Sequence, residues 1–101
     1  MLLYNITIGI DQDIEQEWLA WVKENFIPEV MATGFFVNWK MYKVLHDEEN
    51  GSISYSIQFF AHSIKEVTQY LQLSAPDIFE RHRNQFLNKH VAFQTLLEEV
   101  E

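Results

Sequence analysis

Residues 35–60 read FFVNWKMYKVLHDEENGSISYSIQFF, two segments with alternating apolar side chains on either side of an Asn-Gly pair. Alternation with a period of two is typical of a half-buried β-strand. Asn50-Gly51 favours a reversal because both residues tolerate positive φ. The stretch therefore predicts an antiparallel hairpin whose strands cover residues 35–47 and 53–59. The apolar positions on one side of these strands are Phe35, Val37, Trp39, Met41 and Leu45, followed by Ile53, Tyr55, Ile57 and Phe59.

The segment before the hairpin predicts a strand followed by a helix. Residues 3–10 alternate in the same way and place four apolar side chains on one face, namely Tyr4, Ile6, Ile8 and Ile10. A helix follows, because the apolar positions up to Phe26 recur at helical spacing. We expect it to end before Pro28, since proline disfavours helical geometry in the preceding residue. Another short turn is allowed over residues 28–33, before Gly34.

The segment after the hairpin predicts a divided helix and a last strand. Ser63-Ile64-Lys65-Glu66 has the pattern of a capping box and begins a helix, whose predicted inner stripe is Ile64, Val67, Tyr70 and Leu71. Ser74-Ala75-Pro76-Asp77 then starts a second helical piece, because proline is favoured in a first turn. Its predicted apolar stripe carries Ile78, Phe79, His82 and Phe86. The fourth strand is predicted from alternating positions, which are Val91, Phe93, Thr95 and Leu97. Val91 and Phe93 are expected to face the helices.

The order strand, helix, strand, strand, helix, strand predicts an α+β fold of the ferredoxin-like βαββαβ type. Its four strands form one antiparallel sheet, and both helical regions cover a single face. A chain of 101 residues with 48% hydrophobic content fits one domain over residues 1–101.

Composition narrows the classes of partner. The formal net charge is −8, so the average field repels nucleic acid. No cysteine is present, which suits a reducing compartment. The first residues lack a basic region and a long apolar run, so we expect neither a signal peptide nor a membrane segment. A cytoplasmic protein is the resulting expectation.

The other face of the predicted sheet carries small neutral side chains. These are Asn5, Thr7, Gly9, Ser54, Ser56, Gln58 and Phe60. A solvated face usually carries charge, whereas small neutral residues suit a second sheet laid across them. We therefore expect a homodimer formed through the sheet faces. The alternative is a monomer with a polar exposed face, and Lys40 counts against a dry interface.

Three features resemble one uncharacterised family over nearly the whole chain. They are the spacing of Trp18 and Trp21, the segment Ile27-Pro28-Glu29-Val30-Met31-Ala32-Thr33-Gly34, and the ending Val91-Ala92-Phe93-Gln94-Thr95-Leu96-Leu97-Glu98. This combination resembles the domain of unknown function 4286. The family looks like a branch of the dimeric α/β barrels, a superfamily that also contains monooxygenases, haem-degrading enzymes and ligand-sensing domains. The resemblance implies a dimeric α/β barrel and leaves the activity open.

Two groups of residues are candidates for a ligand-binding pocket: Trp18, Trp21, Asn25 and Phe26 in the first helix, and Arg81 and His82 in the last. The aromatic residues can line a pocket between helix and sheet, in which Asn25 supplies a polar contact. His82 can act as a buried base beside a small basic opening, made by Arg81 and Arg83, that attracts an anionic ligand. The alternative for the aromatic residues is ordinary core packing, and for His82 a hydrogen-bonded helix residue.

No motif in the sequence assigns a chemistry. A nucleophile elbow, a glycine-rich phosphate loop and an HExxH pair are all missing from the sequence. The four histidines lie in four different segments, so we predict no metal site, no cofactor and no assigned catalytic residue. The favoured interpretation is a module that binds a small, partly apolar molecule or another protein. The alternative is a cofactor-free monooxygenase-like or isomerase-like enzyme acting on a small aromatic compound.

Overall fold

The computed structural model describes residues 1–45, 52–87 and 89–100. The strands are β1 (Leu2–Asp11), β2 (Asn38–Lys43), β3 (Ser52–Ala61) and β4 (His90–Glu98). The helices are α1 (Glu15–Trp21), α2 (Ile27–Ala32), α3 (Ile64–Leu73) and α4 (Ala75–Gln85), with a 3-10 turn at Gln12–Ile14 and a π-helical segment at Val22–Phe26.

The four strands form one sheet in the order β2-β3-β1-β4, and each neighbouring pair is antiparallel. β1 is central, so Ile6 lies opposite Ile57 on one side and Gln94 on the other. The two outer strands are β2 and β4. This arrangement confirms the predicted ferredoxin-like α+β fold.

The core lies between one face of the sheet and the helices. The strand residues predicted to face inward are buried in β1 and β3: Tyr4, Ile6, Ile8, Ile10, Ile53, Tyr55, Ile57 and Phe59. They meet buried side chains of the helical layer: Trp18, Val22, Phe26, Ile27, Val30, Val67, Tyr70, Ile78 and Phe86. Each such side chain contributes about 1.5–3 kcal/mol through its removal from water. This packing holds the helical layer to β1 and β3.

The prediction that the first helix ends before Pro28 is wrong. Phe26 and Ile27 keep helical backbone angles, with φ of −64° and −63°. The amide of Ile27 bonds to the carbonyl of Val22, five residues back, so the turn before Pro28 is wider than an α-helical turn. The wider turn relieves the clash between a proline ring and the carbonyl four residues back. The further turn allowed before Gly34 is present as α2, and Gly34 follows it with φ of +81°.

Strand β2 is shorter than predicted and begins at Asn38 rather than Phe35. Phe36 precedes it and is buried against Tyr4 and Phe59, at ring centroid distances of 6.0 and 5.4 Å. Val37, which was expected to face the helices, is 50% exposed. The amide of Val37 donates to the carbonyl of Phe60 over 2.8 Å, so the chain joins β3 directly after the buried Phe36 ring. The hairpin pairing of β2 with β3 is confirmed, and the predicted reversal at residues 46–51 lies outside the described residues.

The prediction that Val91 and Phe93 of β4 face the helices is also wrong. Val91 and Phe93 lie opposite Gly9 and Thr7, on the side of the sheet away from the helices. They are 72% and 63% exposed. A shift of one residue in strand register exchanges the two faces of a strand. The sequence of β4 has apolar residues on both faces, so the alternation does not decide which face is buried. The outward side of the sheet is consequently more apolar than the sequence indicated.

Helices α3 and α4 meet at Ser74, which confirms the predicted division of the second helical region. Val67 and Tyr70 are buried in α3, as predicted. Ile64 and Leu71, which were assigned to the same stripe, are exposed because the helix presents them beyond the edge of the core. Across the described residues, no helix has the length and apolar character needed to span a bilayer.

Candidate functional site

A hydrogen bond between two buried side chains joins the first and last helices. Nε1 of Trp18, in α1, donates to Nε2 of His82, in α4, over 2.9 Å. Both side chains are 0% exposed. Ile78 and Phe86 lie one turn before and after His82 and are also buried, so helical spacing turns this histidine inward. The predicted apolar stripe of α4 therefore carries a polar group into the core.

The hydrogen bond from Trp18 determines the tautomer of His82. An indole nitrogen only donates, so Nε2 of His82 accepts and the neutral ring carries its proton on Nδ1. Burial and, to a smaller extent, the nearby His90 together lower the pKa of His82 to about 4. His82 is therefore neutral at pH 7. Its Nδ1 is buried and has no hydrogen-bond partner within the described part of the chain.

Aromatic rings surround His82. Phe79 stacks on it at a centroid distance of 5.2 Å and an interplanar angle of 29°. Three further rings contact it at centroid distances of 5.7, 5.9 and 5.5 Å, from Phe26, Trp21 and Phe86. This aromatic cage explains the depressed pKa, because apolar surroundings disfavour the charged imidazolium.

His90 completes the cluster from the first position of β4. Its ring lies perpendicular to that of His82, at a centroid distance of 4.8 Å. Nδ1 of His90 is 2.9 Å from the backbone oxygen of Phe86. A carbonyl oxygen only accepts, so Nδ1 is the donor and the neutral His90 ring keeps a free lone pair on Nε2. Among the described residues, Nδ1 of His82 and Nε2 of His90 have no hydrogen-bond partner, so the cluster presents one donor and one acceptor.

A cleft of about 250 Å³ opens on the helical side of the sheet, next to this cluster. It is lined by Tyr4, Tyr70, Leu71, Ala75, Pro76, Phe79 and Gln94. Phe79 forms the wall between the cleft and His82, because the same ring lines the cleft and stacks on the imidazole. Burial raises the pKa of Tyr4 to about 12 and also raises the pKa of Tyr70, so both phenols remain neutral.

The structure brings together four of the six candidate residues. Trp18, Trp21, Phe26 and His82 share the aromatic cage. Asn25 is exposed, and its side-chain amide donates to the backbone oxygen of Trp21 over 3.2 Å, so it lies outside the cage.

Arg81 is also separate from the cage. It is exposed and forms an ion pair with Glu29, which raises the pKa of the guanidinium. Both residues border a second opening of about 430 Å³ between α2 and the junction of α3 with α4. The basic opening beside His82 that the sequence suggested is therefore directed to another part of the surface.

Sequence reasoning missed His90 and the cleft residues Tyr4, Tyr70 and Gln94. His90 was set aside because it falls in a different predicted segment from His82. The pairing of β4 with β1 brings the two histidines together. In the described ranges, no group of three or more His, Cys, Asp or Glu side chains is placed to hold a metal ion.

The outward face of the sheet is a second surface of interest. Its centre is a chain of neutral side chains that bond to one another: Gln58 donates to Ser56 over 3.4 Å, Ser56 donates to Asn5, and Asn5 donates to Thr7 over 3.0 Å. Apolar side chains surround this chain, namely Leu3, Tyr42, Phe60, Val91, Phe93 and Leu97. The ammonium of Lys40 lies 5.8 Å from the centre of the Phe60 ring.

The architecture defines a ferredoxin-like protein, and several solved structures share it. A dimeric ferredoxin-like protein from an uncultured marine organism matches with a TM-score of 0.72 and 11% identity, covering 100% of this chain and 96% of that chain. An ethyl tert-butyl ether d (EthD) family protein from Bacillus halodurans matches with a TM-score of 0.69 and 11% identity, covering 99% and 100%. SnoaB, a cofactor-independent oxygenase from Streptomyces nogalater, matches with a TM-score of 0.59 and 10% identity, covering 99% and 94%.

The family of the chain follows from its sequence. The family model described as Domain of unknown function (DUF4286) matches residues 1–100, so the chain belongs to that family. No curated protein matches it. At the identities given above, the solved structures show the fold alone.

Proposed function

We propose that the protein is a homodimer that binds a small, partly apolar molecule on the helical side of its sheet, in the cleft beside His82. The observation that carries this proposal is the fully buried Nδ1 of His82, which has no partner in the described part of the chain and lies behind the Phe79 wall of the cleft. A buried donor without a partner costs about 1–3 kcal/mol. A ligand oxygen that accepts this hydrogen bond recovers that cost.

The cleft suits a small aromatic compound. Ligand pockets are mostly apolar, with a few polar groups that fix orientation. Here the rings of Tyr4, Tyr70 and Phe79 supply apolar walls, while Gln94 supplies an amide. A volume of about 250 Å³ favours a compound with a single ring over a larger ligand.

The outward face of the sheet supports a homodimer. Its polar side chains bond to one another, so a second sheet that covers them leaves fewer buried groups unpaired. Val91 and Phe93 supply exposed apolar area around them. An identical copy is the natural occupant, because an isologous interface places the same neutral, apolar surface on both sides. One structurally similar protein is itself described as dimeric ferredoxin-like.

The enzymatic alternative uses a different residue from the one suggested by the sequence. His82 has no free lone pair, since Nε2 accepts from Trp18 and Nδ1 carries the proton, so it donates rather than abstracts a proton. The free lone pair belongs to Nε2 of His90, which is therefore the base in a cofactor-free reaction. Oxygen uptake with a phenolic substrate in the absence of metal and flavin, abolished by His90→Phe, would support this alternative over simple binding.

The remaining parts of the proposal follow from composition. We place the protein in the cytoplasm because a chain without cysteine suits a reducing compartment. We also propose that residues 1–101 act as one domain, and that the charge of −8 keeps the protein away from nucleic acid.

A thermal-shift experiment with acetophenone, 1-phenylethanol and ethylbenzene tests the binding site. Ala75 lines the cleft, whereas Ala20 is exposed on α1. We expect at least one compound to raise the melting temperature of the wild type and of Ala20→Leu. Ala75→Leu fills part of the cleft and should remove the effect. An absence of binding by all three compounds, or equal protection in the two variants, would contradict the proposed site.

A further inference from the structure

We infer that the bound molecule carries a hydroxyl group, which accepts a hydrogen bond from Nδ1 of His82 and donates one to Nε2 of His90. This inference rests on the proposed function and names the chemical class of the ligand. It favours a small alcohol or phenol over a ketone, and a ketone over a hydrocarbon.

The hydrogen-bond donor offered to the ligand is Nδ1 of His82, and Trp18 fixes its protonation. The 2.9 Å bond from its indole occupies Nε2 of His82 and leaves the proton on Nδ1. Trp18 is 0% exposed and its ring also contacts Tyr55 at a centroid distance of 5.1 Å, so packing holds the indole in place. Trp18 is therefore a positioning residue, because it acts on the ligand through His82.

The hydrogen-bond acceptor offered to the ligand is Nε2 of His90, and the backbone of Phe86, directly after α4, fixes it. The oxygen of Phe86 occupies Nδ1 of His90 at 2.9 Å and directs the lone pair to Nε2. The two imidazole rings are close, at 4.8 Å between centroids, yet they are perpendicular and no hydrogen bond joins them. Because the rings are this close, we place a single ligand oxygen beside both of them, in reach of both nitrogens.

Among a hydroxyl, a carbonyl and a hydrocarbon, only the hydroxyl group satisfies both nitrogens. A hydroxyl has one donor and two acceptor lone pairs, whereas a carbonyl oxygen only accepts and leaves Nε2 of His90 unused. A hydrocarbon uses neither nitrogen. Each neutral hydrogen bond contributes about 0.5–1.5 kcal/mol net, which corresponds to roughly two- to tenfold in affinity.

Phe79 controls access to the two histidines. Its ring contacts His82 at 5.2 Å and His90 at 6.4 Å, and it also lines the cleft. A rotation of this one side chain joins the cleft to both imidazoles. The aromatic ring of a ligand can then take the place that Phe79 occupies, with the hydroxyl directed to the histidines.

The closing experiment compares three compounds with one carbon skeleton: 1-phenylethanol, acetophenone and ethylbenzene. Their affinities for the full chain are measured by NMR titration. We expect 1-phenylethanol to bind roughly two- to tenfold more tightly than acetophenone, and acetophenone to exceed ethylbenzene by a similar factor. Equal affinities would overturn this inference and leave the proposed function intact. A failure of all three to bind would instead contradict the proposed function.

Two variants separate the roles of the histidines. His90→Phe keeps a ring and removes the acceptor, so it should abolish the advantage of the alcohol over the ketone and preserve that of the ketone over the hydrocarbon. The matched control is His62→Phe, because His62 is exposed at the start of α3 and should leave all three affinities unchanged. The same loss in both variants would overturn the role of His90.

A spectroscopic measurement tests the tautomer of His82 directly. Long-range ¹H–¹⁵N correlation on the wild type should show His82 as the tautomer protonated at Nδ1, and Trp18→Phe should change this signature while the ring remains buried. Protonation of His82 at Nε2 in the wild type would overturn the inference.

Discussion

Nε1 of Trp18 donates a hydrogen bond to Nε2 of His82 across 64 residues of chain, and both side chains are fully buried. This bond ties α1 to α4 within an otherwise apolar layer. Its geometry leaves one buried polar atom without a protein partner, Nδ1 of His82, in the described residues. A native core rarely leaves such an atom unused, so it points to a functional group in place of a purely structural one.

Trp18→Phe should destabilise the protein by about 1–3 kcal/mol. The substitution keeps an aromatic ring and removes the indole donor, which leaves Nε2 of His82 buried without a partner. Urea unfolding followed by circular dichroism measures the change. The control is Trp39→Phe, because Trp39 is 38% exposed on the outer strand β2, and its effect should stay within about 0.5 kcal/mol. Similar losses in both variants would argue against the importance of the buried bond.

Stability should fall as the pH drops from about 6.5 toward 4. The pKa of His82 is about 4 in the folded protein against an ordinary value of 6.5, so the unfolded chain binds more protons between these values. The stabilisation that depends on neutral His82 is fully present above the pKa of this residue in the unfolded chain. It amounts to about 3 kcal/mol and is lost as the pH falls through the folded-state pKa. Unfolding free energies measured across this window should show the slope. His82→Gln, which still accepts from Trp18 and does not titrate, should flatten it.

Phe93→Arg should convert the proposed dimer to a monomer. Phe93 is 63% exposed on the outward face of the sheet, so a charge there blocks a second sheet without disturbing the core. Sedimentation at micromolar concentration measures the mass. Leu73→Arg is the control, because Leu73 is 70% exposed on α3, and it should leave the mass unchanged. A wild-type monomer at that concentration would contradict the dimer.

Gly34→Ala should cost about 1 kcal/mol through backbone conformation alone. Gly34 has φ of +81°, and a Cβ placed there meets no atom within 4 Å. Residues with a Cβ disfavour this region, and asparagine tolerates it better than alanine. Thermal unfolding should therefore rank wild type above Gly34→Asn and Gly34→Asn above Gly34→Ala. An alanine variant as stable as wild type would show that the turn relaxes.

Much of the fold could be predicted because two strands are patterned clearly. In β1 and β3, branched or aromatic residues alternate with small neutral ones, so the buried faces were predicted correctly. The sequence of β4 lacks this contrast, since Phe93 and Leu96 fall on opposite faces. The proline rule failed at Pro28 because it describes a local preference, which packing of the surrounding helix overrides.

The site was predictable only in part. Helical spacing placed Trp18 and His82 on the inner faces of their helices, but periodicity says nothing about which helices meet. The bond between them depends on how α1 and α4 lie side by side. His90 depends on a further step, the pairing of β4 with β1, which no local pattern specifies.

In the π-helical segment at Val22–Phe26, the number of residues matters more for the fold than their identity. Its extra residue per turn sets the angular phase between α1 and α2, which brings Trp18 and Val30 to the same side. Deleting one residue here would rotate everything downstream by about 100° and expose the inner surface of α2. Homologous chains should therefore tolerate substitutions at Lys23 and Glu24 far more readily than insertions or deletions between them.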